Sequence, residues 1–157
     1  MNIRTLTLSG IGMLAICASA AMADSMPEGA QPTDPEKIID LYNGKTSNWK
    51  SGGFAYWGPG GKLQATGPNG NAYGVGKWYV TTASKLCQEA TYYWMESGSR
   101  KSEAGKWCWK FATGPDGTIW ENYLPEDTGW YRHRTDKQVR GNPHRRELQA
   151  LKRKVGL

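Results

Sequence analysis

The sequence predicts an all-β fold, a small antiparallel barrel or sandwich built from hairpins, with a short helix before the strands and a basic segment after them. Three observations favour this class. Residues 46–131 consist of short runs of aromatic and β-branched residues separated by Gly, Pro, Asn and Asp. Turn sequences of one kind occur three times, and no long helical pattern interrupts the strands. Of the two architectures, a barrel has the advantage that it removes exposed strand edges.

The first 23 residues have the parts of a cleavable secretory signal peptide. Arg4 supplies a positive charge, residues 6–20 are free of charge, and Ala21-Met22-Ala23 has the small-x-small pattern of a cleavage site. The apolar stretch is shorter than the roughly 20 residues of a membrane-spanning helix. An uncleaved anchor and a lipoprotein attached at Cys17 are therefore less favoured interpretations. We expect a periplasmic or secreted protein that begins at Asp24 and has no transmembrane segment.

The mature chain divides by composition into a leader of residues 24–33, a β-rich domain of residues 34–132 and a basic tail of residues 133–157. The leader is rich in Pro, Gly and polar residues, and we expect no regular structure in it. Asp34 is a candidate N-cap with Pro35 at the first helical position, so the domain begins with one short helix.

Nine segments of the β-rich domain have the composition of strands. They are residues 46–50, 53–57, 62–66, 73–81, 85–89, 91–95, 106–113, 118–121 and 130–132. The sequences Gly-Pro-Gly-Gly, Gly-Pro-Asn-Gly and Gly-Pro-Asp-Gly at residues 58–61, 67–70 and 114–117 are predicted turns. Pro fixes φ at one turn position, and Gly or Asn supplies a positive φ at another. A meander of hairpins follows from this pattern.

Two cysteines, Cys87 and Cys108, remain once the signal peptide is removed. An even number of cysteines in an exported chain favours a disulfide over two buried free thiols. In the chain-entropy model, such a bond stabilises the fold by roughly 3 kcal/mol. We expect no metal and no cofactor, because neither cysteine has a second ligand at metal-binding spacing and the histidines, His133 and His144, lie far along the chain.

The chain is tryptophan-rich, with eight residues at positions 49, 57, 78, 94, 107, 109, 120 and 130. Since the domain has only two Phe, the tryptophan side chains are expected to build its core. Each buried aromatic side chain removes about 150–250 Å² of surface from water. The functional alternative is a platform on which sugar rings or other flat ligands stack beside polar groups. Our candidates for such ligand binding are Trp57, which precedes a Gly-rich turn, and Trp94 with its neighbours Tyr92 and Tyr93.

Positive charge is concentrated at the C-terminus. Residues 24–131 carry 10 Lys and Arg against 12 Asp and Glu, whereas residues 132–157 carry 9 against 2. This tail is interpreted either as a solvated disordered end or as a segment that binds anionic phospholipid, lipopolysaccharide or polysaccharide. Nucleic acid is not an expected partner, since an exported protein seldom meets it.

Residues of the tail also have helical periodicity. Pro143 is a candidate helix start, and Leu148, Leu151 and Val155 then share one face of a basic amphipathic helix. No strand is predicted after residue 132. The candidate anion-binding residues are Arg140, Arg145, Arg146, Lys152, Arg153 and Lys154.

Several motifs occur in a characteristic order within residues 38–132. They are Leu41-Tyr42-Asn43-Gly44-Lys45-Thr46 with Trp49, Gly76-Lys77-Trp78-Tyr79-Val80, Leu86-Cys87, Trp107-Cys108-Trp109, and Asp116-Gly117-Thr118 with Trp120. With these motifs in this order, the chain resembles a group of secreted proteobacterial proteins, the domain-of-unknown-function family 995. The resemblance implies export and a disulfide between the two cysteines, and it brings no activity or catalytic residue. The basic tail is expected to lie outside the matching region.

Catalysis is not indicated by the remaining residues. Glu89, Glu96, Asp116 and Glu121 are candidates for a glycosidase pair, but nothing in their spacing shows that two of them meet. No Ser-His-acid or Cys-His pattern is evident. We therefore expect a non-enzymatic, exported periplasmic or cell-envelope binding protein with an aromatic ligand surface and a cationic tail for anionic envelope material. The alternatives are an envelope-glycan hydrolase and an inhibitor or chaperone of another envelope protein.

Overall fold

A computed structural model of the chain describes residues 25–126 and 129–157. The predicted signal peptide lies outside these described residues. The elements are β1 (Gln31–Pro32), α1 (Pro35–Tyr42), β2 (Lys45–Asn48), β3 (Phe54–Gly58), β4 (Lys62–Thr66), β5 (Tyr73–Thr81), β6 (Lys85–Glu96), β7 (Ser99–Thr113), β8 (Ile119–Tyr123), β9 (Trp130–Arg132), β10 (Gln138–Arg140) and α2 (Arg145–Lys154). No helix within the described ranges is long and apolar enough to cross a membrane.

One antiparallel sheet contains all ten of these strands and curls into a half-barrel. Its strand order is β10-β2-β3-β4-β5-β6-β7-β8-β9, and β1 pairs with the end of β7 beyond the last residues that β6 covers. The predicted all-β class is thus confirmed, with a single curled sheet in place of a two-sheet sandwich. The three predicted turns are also confirmed, with positive φ at Gly60, Asn69 and Gly117.

The longest hairpin differs from the predicted strands. Residues 85–89 and 91–95 form one continuous strand, β6, and β7 begins at Ser99 rather than at Lys106. Ser97 and Gly98, both with positive φ, join the two strands in the manner of a tight hairpin turn. The first half of β7 is polar and has weak strand propensity, so its conformation is set by pairing with β6.

The concave face of the half-barrel holds the main core and α1. Asp34 caps this helix by accepting a hydrogen bond from the backbone N–H of Glu36 at 2.8 Å, which confirms the predicted helix start. Ile38 and Tyr42 are buried on its inner side. They pack in one cluster with buried side chains from the strands, among them Trp57, Leu63, Trp78, Leu86 and Phe111.

The convex face is partly covered by α2. Leu148 of this helix and Val155, its C-cap residue, are 1% and 2% exposed and pack in one cluster with Phe54 and Tyr73 of the sheet. Residues after 132 also supply β10, which pairs with β2, although no strand was predicted there. Because β10 has only three residues, its strand conformation depends on the backbone of β2 and has little signal of its own. The basic segment therefore contributes a strand and a helix to the fold.

The predicted disulfide is confirmed. Cys87 and Cys108 are direct partners in the register of β6 and β7, with their Cα atoms 4.1 Å apart. Strand periodicity places both on the convex face, opposite Trp107 and Trp109. The bond thus fastens the long hairpin from outside.

Side chains bridge the two open edges of the half-barrel, β9 and β10. His133 Nδ1 lies 3.4 Å from Glu121 Oε1, and its Nε2 lies 3.4 Å from Gln138 Oε1. Gln138 in turn donates to Ser47 Oγ at 3.4 Å, and Tyr42 donates to Glu121 Oε2 at 3.3 Å. Burial raises the pKa of Tyr42 well above its ordinary value, so this hydroxyl stays protonated. We call these five residues the seam.

Candidate functional site

An aromatic cavity of about 990 Å³ opens on the concave face, next to the core. Its walls come from β6, β7, β8 and β9 and from the loops that precede β3 and β5. The aromatic lining residues are Trp49, Tyr92, Trp94, Trp107, Trp109, Tyr123 and Tyr131. This volume is at the upper end of the roughly 300–1,000 Å³ that ligand pockets occupy, so a ligand with several rings would fit.

Strand periodicity explains how the long hairpin forms two of the walls. Alternate residues of β6 face inward, which places Gln88, Tyr92 and Trp94 on the concave face. In the register with β7, Gln88 is opposite Trp107 and Tyr92 is opposite Glu103. The Tyr92 and Trp107 rings then meet edge to face, with centroids 5.5 Å apart and planes at 90°.

Two glycines allow these rings to lie against the sheet. A Cβ atom at Gly74 would stand 2.6 Å from Tyr92 Cε1, and one at Gly105 would overlap the Trp107 ring. No side chain could occupy either position without displacing a wall of the cavity. The glycines are therefore part of the site's construction.

A buried amide forms the floor of the cavity. Gln88 is 4% exposed, and its Nε2 donates to the Tyr92 hydroxyl at 3.4 Å. Its Oε1 is buried and has no hydrogen-bond partner among the described residues. Buried polar atoms in folded proteins nearly always have a partner, and an unpaired one costs about 1–3 kcal/mol. This oxygen is therefore an unpaired acceptor beneath an aromatic site, and because almost none of its surface is accessible, a ligand reaches it only after a small shift of the Gln88 side chain or of a neighbouring ring.

The tyrosines of the cavity remain neutral at physiological pH. Burial raises the pKa of Tyr92 to about 12, and burial is also the main cause that raises the pKa of Tyr123 and Tyr131. A second contribution at Tyr131 is the negative charge of Glu121. Neutral hydroxyl groups both donate and accept hydrogen bonds.

Charged side chains lie only at the rim, where the lining residues are exposed. They are the carboxylates of Glu103 and Glu126 and the ammonium group of Lys50. The described lining therefore carries one more negative than positive charge. This contrasts with the net charge of +6 for the whole chain.

The four predicted ligand-binding residues are not brought together. Tyr92 and Trp94 line the cavity, whereas Tyr93 faces the opposite side of the sheet and packs with the cluster under α2. The prediction for Trp57 was wrong: this residue is 2% exposed in the core, where its indole N–H donates to Ser47 Oγ at 2.9 Å. The Gly-rich turn after Trp57 folds β4 back beside it, so it presents no face to a ligand.

The other wall residues were not named as ligand-binding candidates. Gln88, Trp107, Trp109, Tyr123 and Tyr131 reach the site from four strands. Trp107 and Trp109 alternate with Cys108 along the sequence and therefore share one face of β7. Their meeting with β6 and β8 depends on register, which the sequence does not reveal.

The predicted carboxylate candidates do not line the cavity. Glu89 lies on the convex face, where it accepts a hydrogen bond from Tyr79 at 2.7 Å and pairs with Lys77 at 2.9 Å and Lys106 at 3.3 Å. The Tyr79 hydrogen bond, followed by that of Lys77, lowers the pKa of Glu89 to about 2. Asp116 binds the backbone and hydroxyl of Thr118 within its turn.

The remaining two carboxylates are equally separate from the cavity. Glu121 belongs to the seam, and Glu96 ends β6 at the tip of the long hairpin. Among the residues that the structure describes, no group of three His, Cys, Asp or Glu could hold a metal ion.

The candidate anion-binding residues are exposed and lie away from the cavity. Arg140 is on β10, and the other five are on α2, whose apolar side faces the sheet. The apolar stripe predicted for this helix is thus already occupied by the protein's own Phe54 and Tyr73. Only the cationic side of α2 is directed outward.

A model of a known protein family matches most of the chain. The family model described as protein of unknown function, DUF995, matches residues 10–154, which confirms the predicted resemblance. The match includes β10 and all of α2, so the expectation that the basic segment lies outside the matching region was wrong. No curated protein and no solved structure matches the chain.

Proposed function

This chain belongs to the DUF995 family of proteins of unknown function, and we propose that it is a binding protein whose aromatic cavity holds a small molecule with apolar faces. The observation that carries the proposal is the cavity lined by seven aromatic side chains, with the unpaired Gln88 Oε1 buried beneath them. A ligand that donates a hydrogen bond to this oxygen would remove the penalty of an unsatisfied buried acceptor. Ring faces around the oxygen would hold the apolar part of the same ligand.

We propose that binding takes place in the periplasm or at the cell envelope. The predicted signal peptide supports this location. The disulfide between Cys87 and Cys108 supports it as well, because structural disulfides persist in oxidising compartments.

Binding can be tested by titrating the protein's tryptophan fluorescence with indole, 2-phenylethanol and the trisaccharide of N-acetylglucosamine. The matched variants are Trp94→Ala, which removes a cavity wall, and Trp120→Ala, which removes a half-buried ring outside the cavity. Saturable binding of at least one probe, weakened about tenfold by Trp94→Ala and little changed by Trp120→Ala, is the expected result; tenfold equals about 1.4 kcal/mol. Equal losses in both variants, or no binding, would contradict the proposal.

A second function is favoured by the way in which α2 is held. Leu148 and Val155 are buried under the helix, and Arg100 donates to the carbonyl oxygens of Val155 at 3.2 Å and Gly156 at 3.0 Å at its C-terminus. The basic side chains are thereby fixed on one outward surface. We propose that this surface attaches the protein to anionic envelope material by charge and without insertion.

Attachment through α2 can be measured by co-sedimentation with phosphatidylglycerol vesicles at low and high salt. The test variant Arg145→Gln/Arg146→Gln/Arg153→Gln removes three charges from α2, and the control Lys37→Gln/Lys62→Gln/Lys110→Gln removes three exposed charges elsewhere. Each Lys or Arg near an anionic surface contributes about 1 kcal/mol. We expect the test variant to lose salt-sensitive binding and the control to retain most of it. Equal binding by the two variants would contradict attachment through α2.

A further inference from the structure

We propose that the ligand of the aromatic cavity is an organic cation, a protonated amine whose N–H group binds Gln88 Oε1 while its carbon skeleton lies against the surrounding rings. The inference rests on the proposed function and names the chemical class of the ligand. Three independent properties of the cavity support it.

The first property is the kind of atom that lacks a partner. Gln88 Oε1 can only accept a hydrogen bond, so its missing partner is a donor, and a ligand that supplies this donor must also shift the side chain enough to expose the oxygen. The side chain is 4% exposed, and its other amide atom is already bound to the Tyr92 hydroxyl. A protonated amine carries several N–H donors, and a hydrogen bond from a charged donor is roughly twice as strong as one between neutral groups.

The second property is the electrostatics of the walls. The face of an aromatic ring is negative, and it attracts a cation within about 6 Å of the ring centroid. Tyr92 and Trp107 stand at 90° to each other, so they present surfaces in two directions around the floor. Trp49 and Trp94 add further rings to the lining.

Rings elsewhere in the molecule already have cations from the protein. Lys77 and Lys106 lie 5.8 Å and 5.5 Å from the centroid of Tyr79, and the Arg132 guanidinium lies 5.5 Å from the centroid of Trp120. Both of these rings are outside the cavity. Across residues 25–126 and 129–157, no Lys or Arg occupies a ring face in the cavity in this way. Its rings are therefore left for a cation from outside.

The third property is the charge at the rim. Glu103 and Glu126 outnumber Lys50, and no arginine is present in the described lining. An anionic ligand would meet two carboxylates and only one ammonium group. In a chain with a net charge of +6, this local excess of negative charge would attract cations to the cavity opening.

The test compares 2-phenylethylamine, which is protonated at neutral pH, with 2-phenylethanol, which has the same ring and chain length but no charge. Calorimetric titration of the purified protein gives the dissociation constant of each probe. We expect the amine to bind at least tenfold more tightly than the alcohol. We also expect Glu103→Gln/Glu126→Gln to reduce this preference to about threefold or less. Glu28→Gln/Asp40→Asn, which removes the same charge away from the cavity, is expected to leave the preference unchanged.

The outcomes separate the two proposals. If the alcohol binds as tightly as the amine, the ligand class is wrong and a cavity that binds small molecules remains. The same conclusion follows if both double variants reduce the preference equally, because the effect then belongs to the overall charge of the protein. If neither probe binds and the fluorescence titrations also show no binding, both proposals fail.

Discussion

The two faces of the long hairpin use their aromatic residues in different ways. On the convex face, Tyr93 packs into a cluster with Leu148 of α2 and its C-cap residue Val155, and the nearby Phe54 stacks on His144 at 4.0 Å between centroids. On the concave face, the adjacent Tyr92 borders an open cavity. Of these two neighbouring residues, Tyr93 thus belongs to a surface that the protein covers with α2, whereas Tyr92 belongs to a surface that is left open. The difference teaches that aromatic content alone does not mark a binding site; what marks it is an aromatic surface without an internal partner.

The largest expected effect concerns the covered face. Leu148→Ala removes a side chain that is 1% exposed between α2 and the sheet. Such a substitution costs about 2–5 kcal/mol of unfolding free energy, because it loses apolar burial and leaves a cavity. Urea denaturation should show this loss, whereas the affinity of the folded protein for the cavity probes should stay within about twofold. A large loss of affinity would show that the two faces are coupled.

Removal of the disulfide is expected to have the next largest effect. The bond joins β6 and β7, whose side chains form both faces of the long hairpin. Cys87→Ser/Cys108→Ser should lower the unfolding free energy by roughly 3 kcal/mol in the chain-entropy model. Thermal unfolding measured with and without a reductant checks this value, since reduction should destabilise only the unsubstituted protein. A double variant as stable as the parent would mean that β6–β7 pairing alone holds the hairpin.

A smaller and opposite effect is expected at the cavity floor. Gln88→Met replaces an unsatisfied buried amide with an apolar side chain of similar length. Without ligand, the variant should be more stable by about 1 kcal/mol, because the unpaired acceptor is gone. Its affinity for 2-phenylethylamine should fall about tenfold, since the hydrogen-bond partner is missing. A variant that is destabilised by several kcal/mol would identify Gln88 as a structural residue of the core.

The smallest effect concerns the acid stability contributed by Glu89 on the convex face. The Tyr79 hydrogen bond, followed by that of Lys77, lowers the pKa of this carboxyl from 4.5 to about 2 in the folded protein. A depressed pKa stabilises the fold above about pH 4.5, and the contribution is lost as the pH falls from there toward 2. Glu89→Gln should therefore make stability less dependent on pH in this interval. Denaturation curves of the parent protein and of Glu89→Gln at pH 6 and pH 3 provide the comparison. An identical pH dependence of stability in the two proteins would contradict this role of Glu89.

Local patterns predicted much of the fold. The Gly-Pro turns gave the hairpins at residues 58–61 and 67–70, and Asp34 with Pro35 gave the start of α1. These features depend on the conformational preferences of a few adjacent residues. The strand β10 and the first half of β7 carry no comparable signal, because their conformation comes from hydrogen bonds to distant strands.

The candidate site was predictable only in part, for the same reason. Tyr92 and Trp94 share a face by simple alternation, and both line the cavity. Trp57 has the same kind of local sequence but is buried, since α1 closes over it through Tyr42 at 5.0 Å between ring centroids. The role of Gln88 depends on which atoms surround it, and no spacing in the sequence identifies a buried amide without a partner.

The seam has a consequence for how fast a ligand can reach the cavity. The edges β9 and β10 are joined through the side chains of His133 and Gln138, whereas β6 and β7 share a full ladder of backbone hydrogen bonds. Segments held by few backbone bonds open most readily in the native state. Tyr131 of β9 is a wall of the cavity, so opening of this edge would widen the cavity without unfolding the long hairpin. A ligand could then exchange at the rate of this local motion, well before the fold itself comes apart.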